Sequence, residues 1–338
     1  MHNLLNIPSK VNNYTLGFVD SVSEIEDLID QSNTITIIDH NVSELYPNLN
    51  RDNNIVLVCN ENSKTLEGTA LLISNLINLK VNIKTKLVVI GGGILQDLVG
   101  FSASIYARGI EYILVPTTLL AQTDSCVGGK TSINFDSRKN LIGTFYPPIS
   151  IVICTKFLDT LSPLDYISGL GEIYKFHILQ NKTPYFSPNS NIESMILDSL
   201  KYKVDILSRD EFDKGERKFL NFGHTFGHAL ESTSNHEIPH GVAVILGSML
   251  AVKLSNNLGY KVDNYDCIIE KGIDLIQKTN INFDSKWFDF DSLMEIVKSD
   301  KKSTGKLTMV LIDDKPFLEN VENVSILKET LKQIYESI

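Results

Sequence analysis

The chain has 338 residues, 43% hydrophobic and 21% charged, with 20 glycines and 10 prolines, a globular composition long enough for two domains. Its formal net charge of −10 argues against a nucleic-acid partner, and no run approaches the roughly twenty apolar residues of a membrane span. Four cysteines (Cys59, Cys126, Cys154, Cys267) without CxxC spacing read as reduced thiols of a cytoplasmic protein, excluding a disulfide framework and a cysteine-based zinc site.

In chain order, the opening MHNLLNIPSKVNNYT lacks the basic region and apolar run of a signal peptide, and none is expected. TITIID (34–39), NIVLVC (54–59), KLVVIG (86–91), YILVP (112–116) and SIVIC (150–154) are apolar runs bounded by turn residues, the pattern of strands buried on both faces of a parallel sheet. KTLEGTALLISNLINL (64–79) and QDLVGFSASIYARG (96–109) carry helical periodicity between them. Beyond about Thr160 helical patterns dominate, interrupted by one late strand in KLTMVLI (306–312), with a closing helix in 320–338. The expectation is an α/β domain over 1–158 (Rossmann-like, mostly parallel sheet) and a mainly α-helical domain over 159–338, with ligands at the carboxyl ends of the strands and in the cleft between the domains.

Within this frame, VVIGGGILQDLVG (88–100) runs a strand into three glycines and a helix, a turn that lets backbone N–H groups approach a phosphate; it is not the GxGxxG fingerprint. VPTTLLAQTDSCVGGKTSINFDSRKNLIGTFYPP (115–148) combines a Thr pair, Asp124, Gly128-Gly129-Lys130 and Lys139-Asn140 in what reads as a long Gly-rich loop able to hold an anion. In ISGLGEIYKFHI (167–178), Glu172 and Lys175 at i,i+3 read as a solvated ion pair. LNFGHTFGHALESTSNHEIPHG (220–241) holds four of the seven histidines. His224 and His228, one helical turn apart, suit a pair of zinc ligands, and His240 adds a third imidazole from a turn; spacing does not say which of them bind metal. His236, in a polar loop, reads as exposed and idle.

GGGILQDLVGF, YARG, VPTTLLAQTDSCVGGKTSIN, RKNLIGTFYPP, GLGEIYK, RKFLNFGHTFGHALE, HGVAV and DKKSTG follow one another in the order found in the 3-dehydroquinate synthase family of the sugar-phosphate cyclase group, which the chain resembles over roughly 39–312. The resemblance implies an NAD-binding α/β domain, a helical metal- and substrate-binding domain, and a cytoplasmic homodimer of the shikimate pathway. It makes Glu172, His224 and His240 the ligands of a divalent metal, zinc or alternatively cobalt, and His228 a substrate contact near the phosphate. Asp124, Lys175, His228 and Asn221 take catalytic places, while Lys130, Asn140, Lys203, Arg217 and one of Lys301 and Lys302 bind substrate, with Arg108 reaching across a dimer interface. Asp39, Glu61, Lys64, Gly92, Gly93, Ile94, Asp97, Thr117, Thr118, Lys139, Phe157, Thr160 and Leu161 take the NAD places.

The implied reaction converts 3-deoxy-arabino-heptulosonate 7-phosphate to 3-dehydroquinate: NAD transiently oxidises a ring hydroxyl, phosphate is eliminated, hydride returns, and an intramolecular aldol closes the carbocycle. Such a substrate, bearing a carboxylate and a phosphate, explains why several Lys and Arg side chains are needed within an acidic protein. Three positions depart from the family pattern: Val242 stands where an acidic residue is usual, and His177 and Gln96 stand where glycines are usual. Val242 is expected to weaken metal binding or alter ligand orientation. The rival expectations are a cyclase acting on another sugar phosphate, an NAD- and metal-dependent polyol or glycerol-phosphate dehydrogenase, and a catalytically inactive binding protein.

Overall fold

Strands buried on both faces need helices to cover them, and the first half of the chain supplies both in alternation. A computed structural model describes residues 1–136, 138–186, 190–300 and 307–338, without the side chains of 299 and 300. Lys301 and Lys302 lie outside the described residues.

One compact unit comprises Met1–Leu161 and Lys203–Phe212. It opens with an antiparallel pair, β1 (His2–Ile7) and β2 (Tyr14–Val19). There follow α1 (Ser23–Ile29), β3 (Thr34–Asp39), α2 (His40–Leu45), β4 (Ile55–Leu57), α3 (Leu66–Asn78), β5 (Lys86–Gly91), α4 (Gly93–Ile105) and β6 (Tyr112–Pro116). The hairpin β7 (Lys130–Phe135) and β8 (Arg138–Phe145) precedes β9 (Ser150–Cys154). Among the described residues, seven strands form one sheet in the order β1-β2-β9-β6-β5-β3-β4, parallel everywhere except at β1–β2. Ile37, Ile38, Val88, Val89, Ile90 and Ile151 at its centre are essentially inaccessible to solvent. All five expected strand runs are strands; β1, β2 and the β7–β8 hairpin were not expected, and the hairpin occupies much of the segment read as a loop.

The other unit comprises Ser162–Tyr202 and Asp213–Ile338. Its helices are α5 (Pro163–Leu179), the first part of α6 (Ile192–Arg209), α7 (His224–Thr233), α8 (His240–Asn257), α9 (Tyr265–Gln277), α10 (Phe290–Asp300) and α11 (Val324–Tyr335), with the hairpin β10 (Thr308–Ile312) and β11 (Pro316–Asn320) before the last. α5 starts where Ser162 accepts a hydrogen bond from the Asp165 N–H and Pro163 fits the first helical position. α8 is buried along most of its length and forms the centre of this unit.

Two glycines set how α5 and α8 cross. A Cβ built on Gly171 would lie 2.1 Å from the Gly241 carbonyl oxygen, and one on Gly241 would lie 1.7 Å from that of Ser168. The backbones therefore touch directly, and the Gly241 N–H donates to Ser168 Oγ at 3.0 Å. Glu172 and His240 are the chain neighbours of these two glycines, so the crossing brings them together. Gly241→Ala is expected to destabilise the protein by about 3 kcal/mol or more, since overpacking at this crossing is met by backbone rather than a flexible side chain. Urea unfolding at the wild-type midpoint would contradict so close a crossing.

Candidate active site

The helical unit gathers the histidine segment around one carboxylate. Glu172 Oε1 stands 3.3 Å from His240 Nε2 and 3.6 Å from His224 Nε2. One ligand atom from each of Glu172, His224 and His240 can be chosen so that all lie within 4.8 Å of one another, close enough to share an ion. Among the described residues neither Glu172 oxygen has a hydrogen-bond partner of regular geometry, although Oε2 meets the Lys175 ammonium as an ion pair. A buried carboxylate so placed, with two imidazole nitrogens facing it, suits a divalent cation by its donor set. The other nitrogen of each ring is occupied: His224 Nδ1 lies 3.0 Å from the Phe222 carbonyl oxygen, and His240 Nδ1 lies 2.9 Å from Glu231 Oε2. Such outer contacts select the tautomer that presents Nε2 to a metal.

The electrostatics agree. Burial opposes ionisation of Glu172, yet Lys175 and the two imidazoles hold its carboxyl well below the usual carboxylate range. Burial, with Lys175 next, pushes His224 down to about 3, leaving its ring neutral and able to donate a lone pair. Burial also disfavours charge on His240, but Glu172 and Glu231 outweigh it and push the ring up to about 10. The negative field that holds a proton on His240 is the one a cation exploits.

The Glu172–Lys175 pair is not the solvated pair that its i,i+3 spacing suggested. Both side chains are about 1% exposed, and the Lys175 ammonium sits 4.5 Å from the centre of the Phe176 ring. His228 is exposed, its ring centre 5.2 Å from that of His224 and 5.7 Å from that of His240, so it borders the cluster. Arg217 is buried and Asn221 exposed in the short helix before α7. His236 is exposed, as its polar loop suggested. Two of the departures have visible packing: Val242 is fully buried in α8, and His177 is buried and stacked on Phe186 with ring centres 5.9 Å apart.

In the α/β unit the expected dinucleotide residues lie largely at the carboxyl ends of the strands. Asp39 ends β3, Gly92, Gly93 and Ile94 follow β5, and Thr117 and Thr118 follow β6. Gly92 is extended and is the N-cap of α4, and among the described residues no side chain caps the first N–H groups of that helix, the groups a helix start offers to an anion. Gln96 explains its own departure: its side-chain amide donates to the Gly91 carbonyl oxygen at 3.2 Å from a buried position, bracing the glycine turn. Phe157 is buried against Tyr46, Thr160 Oγ1 lies 3.1 Å from the Tyr46 hydroxyl, and Leu161 beside them is partly buried.

A polar network ties the hairpin to this edge. The buried Lys64 ammonium pairs with Asp97 and with Asn140 Oδ1, which also accepts from Ser132 Oγ at 2.9 Å. Asn134 links Glu61, donating to its Oε1 at 2.7 Å, to the Asn140 N–H, which it accepts at 2.9 Å. Burial pushes the Asp97 carboxyl up, against the pull of Lys64 and Ser132. Asn140, expected among substrate contacts, is thus joined to Lys64 and Asp97, which were expected at the dinucleotide. A pocket nearby is lined by Gly93, Gln96, Asp97, Ser125, Cys126 and the exposed Lys130, while Lys139 is exposed on β8. Lys203 reaches Asp124, with its ammonium 2.9 Å from Oδ1 and donating to the Asp124 carbonyl oxygen. Arg108 does not join these groups: it is exposed at the far end of α4, about 20 Å along a 13-residue helix from the glycine turn.

Sequence reasoning missed Glu231, Ser132 and Asn134. Glu231 had a usable signal, since positions 224, 228 and 231 fall on one helical face. Ser132 and Asn134 had none, because the hairpin that aligns them was unrecognised.

An α/β unit with ligand-type loops at the strand ends, followed by a helical unit with a carboxylate–imidazole cluster, defines a class of dinucleotide- and metal-using enzymes. A solved 2-deoxy-scyllo-inosose synthase, complexed with carbaglucose-6-phosphate, NAD+ and Co2+, matches with a TM-score of 0.81 at 25% identity, covering 98% of this chain and 100% of that one. The 2-epi-5-epi-valiolone synthase of Streptomyces hygroscopicus, with NAD+ and Zn2+ bound, shares the fold with a TM-score of 0.83 at 23% identity, covering 98% of this chain and 99% of that one. The family models "3-dehydroquinate synthase N-terminal" and "3-dehydroquinate synthase C-terminal" match residues 54–168 and 169–303. A 3-dehydroquinate synthase of Alkaliphilus metalliredigens is 37% identical over 290 residues, 82% of this chain and 80% of that protein. The chain belongs to the 3-dehydroquinate synthase family.

Proposed function

We infer that this chain is a 3-dehydroquinate synthase, converting 3-deoxy-arabino-heptulosonate 7-phosphate to 3-dehydroquinate and phosphate with NAD and a divalent metal, zinc or cobalt. The observation that carries the reading is the buried Glu172 carboxylate facing His224 and His240, in a chain whose relatives of that name match it over most of its length. When bound, the metal supplies Lewis-acid polarisation and a template for neighbouring oxygens. NAD supplies a hydride acceptor and later donor, so it is regenerated in each turnover.

The chain's own residues do the rest. Glu231 and the Phe222 carbonyl hold the two imidazoles with Nε2 forward. Lys175, beside Glu172, positions the reacting hydroxyl of the substrate, as does Asp124, whose carboxylate Lys203 holds in place. Lys203 and Arg217, both nearly buried, supply the fixed positive charge that the carboxylate needs in a chain of net charge −10. Lys130, Asn221 and His228 complete the anion contacts, while the carboxyl edge of the sheet and the Glu61–Lys64–Asp97 network hold the dinucleotide. Among the described residues no helix is long and apolar enough to cross a membrane, and a cytoplasmic homodimer with Arg108 reaching the partner's site completes the reading.

The test is turnover of the heptulosonate phosphate with NAD and zinc. The expected outcome is stoichiometric phosphate release with no net rise in NADH absorbance, and no turnover of a neutral seven-carbon sugar phosphate. Absence of phosphate release, or NADH accumulating in step with substrate consumption, would falsify the reading; the latter outcome favours a dehydrogenase.

A further inference from the structure

We propose that Glu231 is a positioning residue for the metal site, holding the His240 ring so that Nε2 rather than Nδ1 is offered to the cation. The inference rests on the metal site proposed above. His240 stands between two carboxylates, with Nδ1 2.9 Å from Glu231 Oε2 and Nε2 3.3 Å from Glu172 Oε1. A neutral imidazole carries one N–H, so the Glu231 contact places that proton on Nδ1 and frees the Nε2 lone pair. Glu231 is itself about 7% exposed, so little water competes for this hydrogen bond.

The elements explain why His240 needs such a brace. It is the first residue of α8, after Pro239, at the end of a polar loop, and its side chain is 33% exposed. His224 has a backbone brace in the Phe222 carbonyl, which no side-chain substitution removes. His240 depends on a side chain from the preceding helix, one turn beyond His228. Charge adds to the effect. Glu172, Glu231 and Lys175 together carry one formal negative charge, and replacing Glu231 by Gln leaves them neutral, weakening the attraction for a divalent ion.

A competing arrangement sharpens the test. His228, Glu231 and His240 also bring ligand atoms within 4.8 Å of one another, using Glu231 as a ligand in its own right. The two arrangements are exclusive in the use of the Glu231 carboxylate, which either accepts from His240 Nδ1 or binds the ion. The buried Glu172 carboxylate, which two imidazole nitrogens face and which has no hydrogen-bond partner of regular geometry among the described residues, favours the first.

The experiment strips the full-length protein of metal and titrates zinc against a chromophoric chelator, with cobalt absorption spectra alongside, for the wild type, E231Q, E231D, E231A and E172Q. Melting curves confirm that each variant is folded. The expected result is one zinc per chain in the wild type and affinity lowered about 10- to 100-fold in E231Q. E231A should lose at least as much and E231D less. Saturating zinc restores most activity to E231Q with little change in KM. Wild-type zinc affinity in folded E231Q and E231A overturns the proposal while leaving the metal site intact. Zinc retained by E172Q but lost from E231Q overturns it in favour of Glu231 as a ligand. A wild-type chain that takes up no zinc overturns the metal-site reading and this proposal with it.

Discussion

Replacing Glu172 by Gln is expected to abolish stoichiometric zinc binding, lower kcat by roughly 10³-fold or more, and destabilise the metal-free fold. The first two effects follow from losing the anionic donor that both imidazoles face, since a Lewis acid supplies several kcal/mol of charge stabilisation and each 1.4 kcal/mol is about tenfold in rate. The third has a separate cause. Glu172 and Lys175 are both about 1% exposed, so the amide leaves an ammonium buried without its counter-charge. Breaking a buried pair by removing one partner costs about 3–5 kcal/mol. Lys175→Met should behave differently. It removes a positive charge beside the ion, so zinc affinity is retained or increased while turnover falls, because the group proposed to position the hydroxyl is gone. Metal content, phosphate release and thermal unfolding of the two variants separate these effects. A Glu172→Gln protein that holds one tight zinc would remove the basis for the metal site.

Much of the sheet was legible because a strand buried on both faces has no polar positions to disguise it: TITIID is buried at all six residues. The N-terminal pair was not, since β1 is an edge strand with mostly exposed or half-exposed residues, and HNLLNI lacks the alternation that marks a half-buried strand. β7 and β8 hid for a related reason. Their Gly, Ser, Thr and Asn content reads as loop, and their pairing to each other rather than to the main sheet leaves no apolar run. The site shows a different kind of limit. Spacing along one helix suggested His224 and His228 as ligands, but the ligand atoms that converge come from α5, α7 and α8. Their meeting is set by the Gly171–Gly241 crossing and by Gly247, where a Cβ would lie 1.9 Å from the Gly223 carbonyl oxygen, Gly223 itself having a φ of +77°. Local periodicity does not encode such crossings. It also misjudged depth, since α5 is buried from Ile167 to Leu179, leaving no polar face to signal that Glu172 and Lys175 point inward.

Asp124→Asn and Lys203→Met are each expected to lower kcat/KM by about 10²-fold, and the double variant to lose little more than either alone. A charged hydrogen bond is worth about 1.5–3 kcal/mol, which sets the size of the single losses. The non-additivity follows from geometry. The Lys203 ammonium lies 2.9 Å from Asp124 Oδ1 and also donates to the Asp124 carbonyl oxygen, so it fixes both the side chain and the backbone of the short helix Ala121–Ser125 before Gly128-Gly129-Lys130. If Asp124 acts on the substrate hydroxyl in the orientation that Lys203 imposes, removing either partner disables the pair. The two single variants should nevertheless differ in stability. Side-chain exposure is 7% for Lys203 and 22% for Asp124, so Asp124→Asn removes the counter-charge of the more buried group, whereas Lys203→Met removes that of the less buried one. Asp124→Asn is thus the less stable variant and Lys203→Met the one with the larger rise in KM, since it also deletes a cation proposed to face the substrate carboxylate. A double-mutant cycle on kcat/KM checks the coupling. Losses that simply multiply would show that the two side chains act independently, and Lys203 could then no longer be the fixed support of Asp124.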